Sequence, residues 1–291
     1  MRIGQLPVES SKDGAIAGVN LSNDGVQWLS APGWNGEDWL WHGFSTRRGG
    51  VSRAYLDEPE NVENRSGELN LGFTAVDLPE NVHKNRLRFV EAITGRRETP
   101  LATVRQVHSN LSVVVPRDGM ANSGTVLEAD GVMTGQPGML LGIQTADCIP
   151  VLVADRVKRA VAAFHAGWRG TVERIVELGV GRMAAEFGSH PEDLIAAIGP
   201  GIGACCYTVG GEVRARFAAN FSYAEELFLR RGEDLYLNLV EANRKQLLAA
   251  GLAGHAIATV GGCTACLPEL FYSHRASGGH AGRMMAVIGI R

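Results

Sequence analysis

The segment MLLGIQTADCIPVLVADRVKRAVAAFHAGWRGT, residues 139–171, decides how this chain is read. Three apolar runs, at 139–145, 149–155 and 159–166, are broken only by short polar connections. Runs this short and this uniformly hydrophobic fit strands covered on both faces, not strands with one wet side. Beyond the Gly-flanked string AGWRG, the apolar positions Val172, Ile175, Val176, Val180, Met183 and Phe187 recur at helical spacing. They predict a helix over about 171–187.

The same reading extends outward. WLWHGFS (39–45), LATVRQV (101–107), LSVVVP (111–116), LIAAIGP (194–200) and MMAVIGI (284–290) read as strands. A helix is expected over 79–94: Pro79 sits near its start, Val82, Arg86, Phe89, Val90 and Ile93 share a face, and Gly95 ends it. Further helices are expected at 210–220 and at 234–250, the latter starting at Asp234 and stopped by Gly251. TRRGGVS (46–52) reads as a Gly-rich turn and 57–68 as an exposed polar loop. Strands interspersed with helices, with no Pro/Gly linker between them, indicate one α/β domain of layered sheets and helices across 1–291. Residues 1–37 form a peripheral N-terminal segment in this reading, and the strand order stays open.

At 291 residues and 45% hydrophobic, the chain can bury a sizeable core. A net charge of −3 argues against nucleic acid or an acidic membrane as partner. MRIGQLPVESSKDG lacks the basic start and apolar stretch of a secretory signal, and no apolar run is long enough to span a bilayer. Five cysteines, an odd number in a large chain, fit reduced thiols and a cytoplasmic location.

The chemistry concentrates in RQVHSN, QTADCIP and AFHAGWRGT, which carry His108, Cys148 and His165. Imidazole, thiolate and imidazole form a ligand set that holds zinc with a fourth position open, the arrangement of a catalytic metal. A lone buried Cys or His is usually core packing, but three polar, non-repeating motifs at the ends of strand-like runs favour a shared site. Gly167 and Gly170 permit unusual backbone geometry, and a helix start near 171 would offer free N–H groups to an anion. Arg169 adds a permanent cation suited to phosphate or carboxylate, and Arg47 and Arg48 invite the same reading. Asp147 is equally a candidate acid/base and a turn-forming hydrogen-bond partner. Cys263 and Cys266 have redox spacing without a thioredoxin-like setting. His190-Pro-Glu192 upstream of them fails the zinc deaminase pattern, because Gly262 replaces the required Pro. The adjacent Cys205 and Cys206 read as buried small hydrophobes, with one of them able to line the site.

Taken together, these motifs resemble the bacterial laccase-domain proteins, also called multicopper polyphenol oxidase-like proteins or peptidoglycan editing factors. That family is related to a purine nucleoside-metabolising enzyme of animal macrophages. The matching strings are FSTRRGGVS (44–52), LNLG (69–72), NVHKNR (81–86), QVHS (106–109), TADCIP (145–150) and HAGWRGT (165–171). IGPGIGACCYTVG (198–210), DLYLNLVEANRKQL (234–247), CT (263–264), FYSHR (271–275) and GR (282–283) continue the match. The resemblance implies mixed sheets sandwiched between helices, and a single zinc held by His108, Cys148 and His165. It further implies phosphorolysis of adenosine, inosine, guanosine or methylthioadenosine, deamination of adenosine, copper-dependent oxidation of phenols, and editing of peptidoglycan precursors. In that frame Cys148, Asp147 and His165 are the catalytic candidates, and Arg47, Asn70 and Arg169 bind substrate and phosphate. Tyr207-Thr208-Val209 stands where Tyr-Glu-Val is more usual, and His274 where Tyr or Phe is. His42, just ahead of GFSTR, is a further imidazole able to approach the site.

We therefore expect a monomeric zinc enzyme acting on purine nucleosides and inorganic phosphate. The alternative from the residues is a Cys–His hydrolase with Cys148 as nucleophile and His165 as base, acting on a cell-wall precursor. A copper oxidase is disfavoured: a multicopper site needs more than eight scattered histidines, and no His-x-His pair occurs. A metal-binding interaction protein without turnover is the non-enzymatic reading.

Overall fold

A computed structural model describes residues 18–56, 67–116 and 127–291. Within them, two six-stranded mixed sheets face each other. The first runs Val19–Leu21, Gln27–Leu29, Leu40–Ser45, Met284–Ile290, Met139–Thr145, Leu101–Thr103, with only the last pair parallel. The second runs Ile257–Thr259, Leu194–Ile198, Ile149–Asp155, Val161–Ala166, Gly131–Thr134, Ser112–Val114, with the outermost pair at each edge parallel. A three-stranded sheet, Thr208–Val209, Asp234–Leu237 and Phe228–Arg231, and the pair Arg48–Gly50 with Gly67–Glu68, complete the β structure of these residues.

Side-chain alternation explains the continuous apolar runs. On the strand Met284–Ile290, Met284, Ala286 and Ile288 enter the core between the sheets. Met285 and Val287 face the other way, onto Phe89 and Val90 of the helix Pro79–Thr94. In the second sheet, Leu152, Ala154, Val161 and Ala163 meet the first sheet. Their neighbours Ile149, Val151, Val153, Ala162 and Phe164 pack on the helices Ile175–Phe187, Gly211–Asn220 and Leu239–Ala249. The result is helix, sheet, sheet, helices: an α/β sandwich of mixed sheets, as expected. Each fully buried Val, Leu or Ile here contributes roughly 1.5–3 kcal/mol, and buried polar residues of these strands, Thr134, Thr145, Asp155 and His165, stand at or next to strand ends.

The three strands at 139–145, 149–155 and 284–290, and the helix at 79–94 with Gly95 left-handed at its C-cap (φ 74°), match their expected bounds. Elsewhere the tertiary structure overrides local pattern. The helix expected over 171–187 is two pieces, Trp168–Val172 and Ile175–Phe187, because Arg174 adopts a left-handed conformation (φ 63°). The helix expected from Asp234 starts at Leu239; DLYL before it is a strand pairing with Phe228–Arg231, and Asn238 caps the helix by accepting from the Glu241 N–H. The run at 101–107 is a strand only to Thr103, and TRRGGVS contains the short strand Arg48–Gly50. Most of the 57–68 loop and residues 1–17 lie outside the described residues. Residues 18–37 supply the edge of the first sheet yet bury Val26, Leu29 and Trp34, so this part is not merely peripheral.

Asn85 is a buried polar residue on the otherwise apolar helix face. Its Oδ1 accepts from the Val51 N–H, and its Nδ2 donates to Ser52 Oγ, Glu68 O and Asn70 O. One amide thus ties the helix to the loops carrying Arg47 and Asn70. Asn85→Leu keeps volume but orphans these partners, and should cost about 2 kcal/mol or more. The check is the urea midpoint at constant slope; an unshifted midpoint would contradict the role.

Candidate metal centre

The strand Met139–Thr145 belongs to the first sheet and Ile149–Asp155 to the second, so Ala146-Asp147-Cys148 is the crossover between them. Three residues turn the chain from one layer to the other, and Asp147 does so at φ 88°. That left-handed geometry costs an Asp on the order of 1–3 kcal/mol unless its surroundings hold it. They do: Oδ1 accepts from Thr264 Oγ1 at 2.6 Å, Oδ2 from the Arg275 N–H at 2.7 Å, and its carbonyl from the Ile202 N–H at 2.8 Å.

Cys148 leaves this turn pointing at His108 and His165. The ligand atoms of the three side chains all lie within 4.8 Å of one another. Cys148 Sγ is 3.9 Å from His108 Nε2, and the two imidazoles meet edge to face with centroids 4.9 Å apart. His165 is buried inside the strand Val161–Ala166 opposite Pro150, whereas His108 is exposed in a loop beyond Thr103, not at the strand end expected for it. His108 too is left-handed, at φ 61°. Gly167 leaves room for the trio: a Cβ there would sit 3.0 Å from Cys148 Sγ and 3.1 Å from His108 Cδ2.

A residue that sequence reasoning missed organises the site. Asp130 is fully buried, and its Oδ1 accepts from His165 Nδ1 at 2.7 Å and from the His108 N–H at 3.0 Å. Its Oδ2 accepts from the N–H groups of Val107 and Ser109 and from Ser109 Oγ. Burial disfavours the charge, but the bonds from His165 and Ser109 outweigh it and hold the carboxyl down at about 2. With Nδ1 committed to a carboxylate, His165 presents Nε2 to the site, the orientation that a carboxylate behind the ring gives metal-binding imidazoles. The only signal in the sequence was an acid directly ahead of the apolar strand at 131–134.

Burial opposes charge on Cys148 as well, yet His165 and His108 together draw its thiol down to about 6. The thiolate and Asp130 in turn lift His165 to about 9 against its own burial. Two imidazoles and a readily ionised thiol, one imidazole fixed from behind, fit a divalent metal ion such as zinc with an open position.

The other expected residues fall on both sides of this centre. Arg169 is exposed with its guanidinium 4.6 Å above the Trp168 ring. Its charge acts on the Tyr207 hydroxyl, as do those of Cys148, Arg275 and Asp147. Burial, with Cys148 nearby, pushes the Tyr207 hydroxyl up to about 12. Arg275 lies 5.2 Å over the Tyr207 ring and donates to Thr208 O and Oγ1. Arg47 does not join the trio: it pairs with Glu68 at 2.6 Å, donates to Pro268 O and Tyr55 O, and stacks on Tyr272. Arg48 donates to Glu269 O. Asn70 is fully buried, donating to Asp77 and Gly72 O and accepting from the N–H groups of Gly72 and Arg283. His42 is turned elsewhere, accepting from the Ala31 N–H and packing on Trp34, and burial lowers it to about 4. The helix start expected near 171 is absent, since Thr171 lies within the five-residue helix Trp168–Val172 and its N–H bonds Gly167 O. Cys205 and Cys206 are not buried packing residues; they are half-buried and meet Cys263 and Cys266.

Asp130→Asn keeps an acceptor but removes the charge behind His165. It should weaken zinc binding about 10–100-fold, read by competition with a chromophoric chelator; unchanged affinity would remove Asp130 from the centre.

A family model described as multi-copper polyphenol oxidoreductase laccase matches residues 41–291. A protein of Bacillus subtilis named purine nucleoside phosphorylase YlmD is 36% identical over 258 residues, covering 86% of this chain and 88% of that protein. A Deinococcus radiodurans protein named purine nucleoside phosphorylase is 38% identical over 249 residues, again covering 86% and 88%. The crystal structure of the Bacillus licheniformis hypothetical protein YfiH superposes with a TM-score of 0.82 at 31% identity, over 94% of this chain and all of that one. With the fold, the motif strings and these likenesses in agreement, the chain belongs to the multi-copper polyphenol oxidoreductase laccase family.

Proposed function

We propose that this protein is a zinc-dependent purine nucleoside phosphorylase whose centre is His108, Cys148 and His165. One observation carries the proposal: these ligand atoms converge within 4.8 Å in a chain whose relatives, over 86% of its length, are named purine nucleoside phosphorylases. A metal bound there supplies Lewis acidity beside an open coordination position.

The chain's own residues do the remaining work. Asp130 fixes the His165 tautomer, and the pair Thr264 and Arg275 hold Asp147 so that Cys148 stays aimed at the imidazoles. Because both Asp147 oxygens accept short hydrogen bonds, we assign it to positioning rather than to proton transfer. Arg169, exposed beside Tyr207, recruits phosphate; a guanidinium keeps its charge at any working pH and matches phosphate oxygens two at a time. Tyr207 keeps its proton at neutral pH and can donate it to a substrate oxygen or ring nitrogen. Phosphate attack on the anomeric carbon breaks the glycosidic bond with oxocarbenium character, so a held anion beside the sugar is the group this reaction needs. Deamination of adenosine is a second reaction within reach of the same centre.

A specific observation favours a second reading. Asp130, His165 and Cys148 form a carboxylate–imidazole–thiol series of the kind that activates a cysteine nucleophile. A thiolate committed to a metal is a poor free nucleophile, so the two readings separate on metal content. The phosphorylase reading expects phosphate-dependent release of hypoxanthine from inosine by the wild type. It expects loss of that release in Cys148→Ala, and in Arg169→Ala a phosphate KM raised about tenfold, the equivalent of one lost charge-assisted contact. Phosphate-independent turnover, or full turnover by Cys148→Ala, would sink it. Metal-free protein inactivated by iodoacetamide would favour the cysteine hydrolase.

A further inference from the structure

Four cysteines remain outside this centre. Cys205 and Cys206 come from the loop after the strand Leu194–Ile198, and Cys263 and Cys266 from the loop after Ile257–Thr259. All four sulfurs lie within 4.8 Å of one another. Cys266 Sγ is 3.4 Å from both Cys205 Sγ and Cys206 Sγ, across separations of 61 and 60 residues. The Gly203 N–H donates to Cys263 Sγ at 3.2 Å, and a Cβ at Gly203 would press on Cys205 Sγ at 3.1 Å and Cys263 Cβ at 3.2 Å. The loops are joined through their backbones as well: Gly201 bridges Cys263, and the Thr264 N–H bonds Gly201 O at 3.0 Å.

We infer that these four thiols hold a second metal ion, a structural Zn²⁺, which clips the loop at 201–206 to the loop at 263–266. The donor set is complete and purely sulfur, as in closed structural sites that leave no position for substrate. A Zn–S bond of about 2.3 Å places the sulfurs of a tetrahedron about 3.8 Å apart, close to the spacing that Cys266 keeps from two partners at once. A disulfide draws one pair to about 2.05 Å and sets its sulfurs apart from the rest, whereas Cys266 Sγ stands at the same 3.4 Å from both Cys205 and Cys206, as ligands of a common centre do. Backbone N–H donation to Cys263 is a charge-assisted bond when that sulfur is a thiolate. Arg231, which donates to Cys205 O at 3.3 Å, brings a cation to a site whose net charge is negative. A tetrahedral four-sulfur set selects zinc or iron among available metals, and zinc, which has no redox chemistry, suits a purely structural clip.

The clip acts on the first centre through Asp147. Thr264, between Cys263 and Cys266, donates to Asp147 Oδ1, and Ile202, ahead of Cys205, donates its N–H to Asp147 O. The two loops that the metal would join thus supply two of the three hydrogen bonds that hold the left-handed turn presenting Cys148, Arg275 giving the third. The second ion touches no substrate; it positions the turn.

Metal analysis of protein purified without chelators tests this, whether or not nucleosides are turned over. Wild type should carry two zinc ions per chain. Cys148→Ala, which disables the first centre alone, should keep one, with its four remaining thiols unreactive to Ellman's reagent until a strong chelator is added. Cobalt loaded into that variant should show the charge-transfer absorption of cobalt–thiolate bonds, lost in Cys148→Ala/Cys266→Ser. A metal-free Cys148→Ala chain that is folded by circular dichroism overturns the inference, whether its thiols react freely or are oxidised to disulfide. Iron in place of zinc overturns the choice of ion.

Discussion

Asp130 is an acid shut away from water, and it is stable there because five donors converge on its two oxygens. An isolated buried carboxylate would cost several kcal/mol. Here the cost is offset by tying the loop of His108 to the strand of His165, through backbone and side chain together. Remove that carboxylate and the loop at 105–111 loses its fixed end, the left-handed conformation of His108 loses its support, and His165 is free to choose its tautomer. The meeting of His108 and His165 is therefore a consequence of how one buried charge is satisfied.

The rest of the architecture makes that arrangement possible. Because both central sheets are covered on both faces, polar chemistry is driven to the strand ends and crossovers. The shortest crossover between the layers, Ala146-Asp147-Cys148, is where the thiol emerges. Two of the four non-glycine residues with positive φ among those described, His108 and Asp147, border this point. Strain of this kind persists only where surrounding bonds over-determine it. Asp130 does so for one, and Thr264, Arg275 and Ile202 for the other.

Much of the scaffold was legible beforehand. Strands at 139–145, 149–155 and 284–290 announced themselves because burial on both faces removes polar residues from the run. The helix at 79–94 carried a 3.6-residue pattern between Pro79 and Gly95. Legibility failed where a distant partner decides the outcome. DLYL at 234–237 is a strand only because Phe228–Arg231 lies beside it, and the helix over 171–187 is broken at Arg174, which no local periodicity marks. Asn85 and Asp130 went unread, because their importance lies in partners 15 to 35 residues away.

By itself, the sequence determined the candidate ligand types His108, Cys148 and His165 and the layered sheet-and-helix class, since both follow from side-chain chemistry and from local hydrophobic pattern. Only the tertiary structure decided which groups meet. It buried Asp130 behind His165, withdrew Arg47 and Asn70 into pairings of their own, left Arg169 exposed over Trp168, and gathered Cys205, Cys206, Cys263 and Cys266 into one cluster. The physical reason is that hydrogen bonds, ion pairs and metal ligation act over a few ångströms in space, while the residues that make them lie tens of positions apart along the chain.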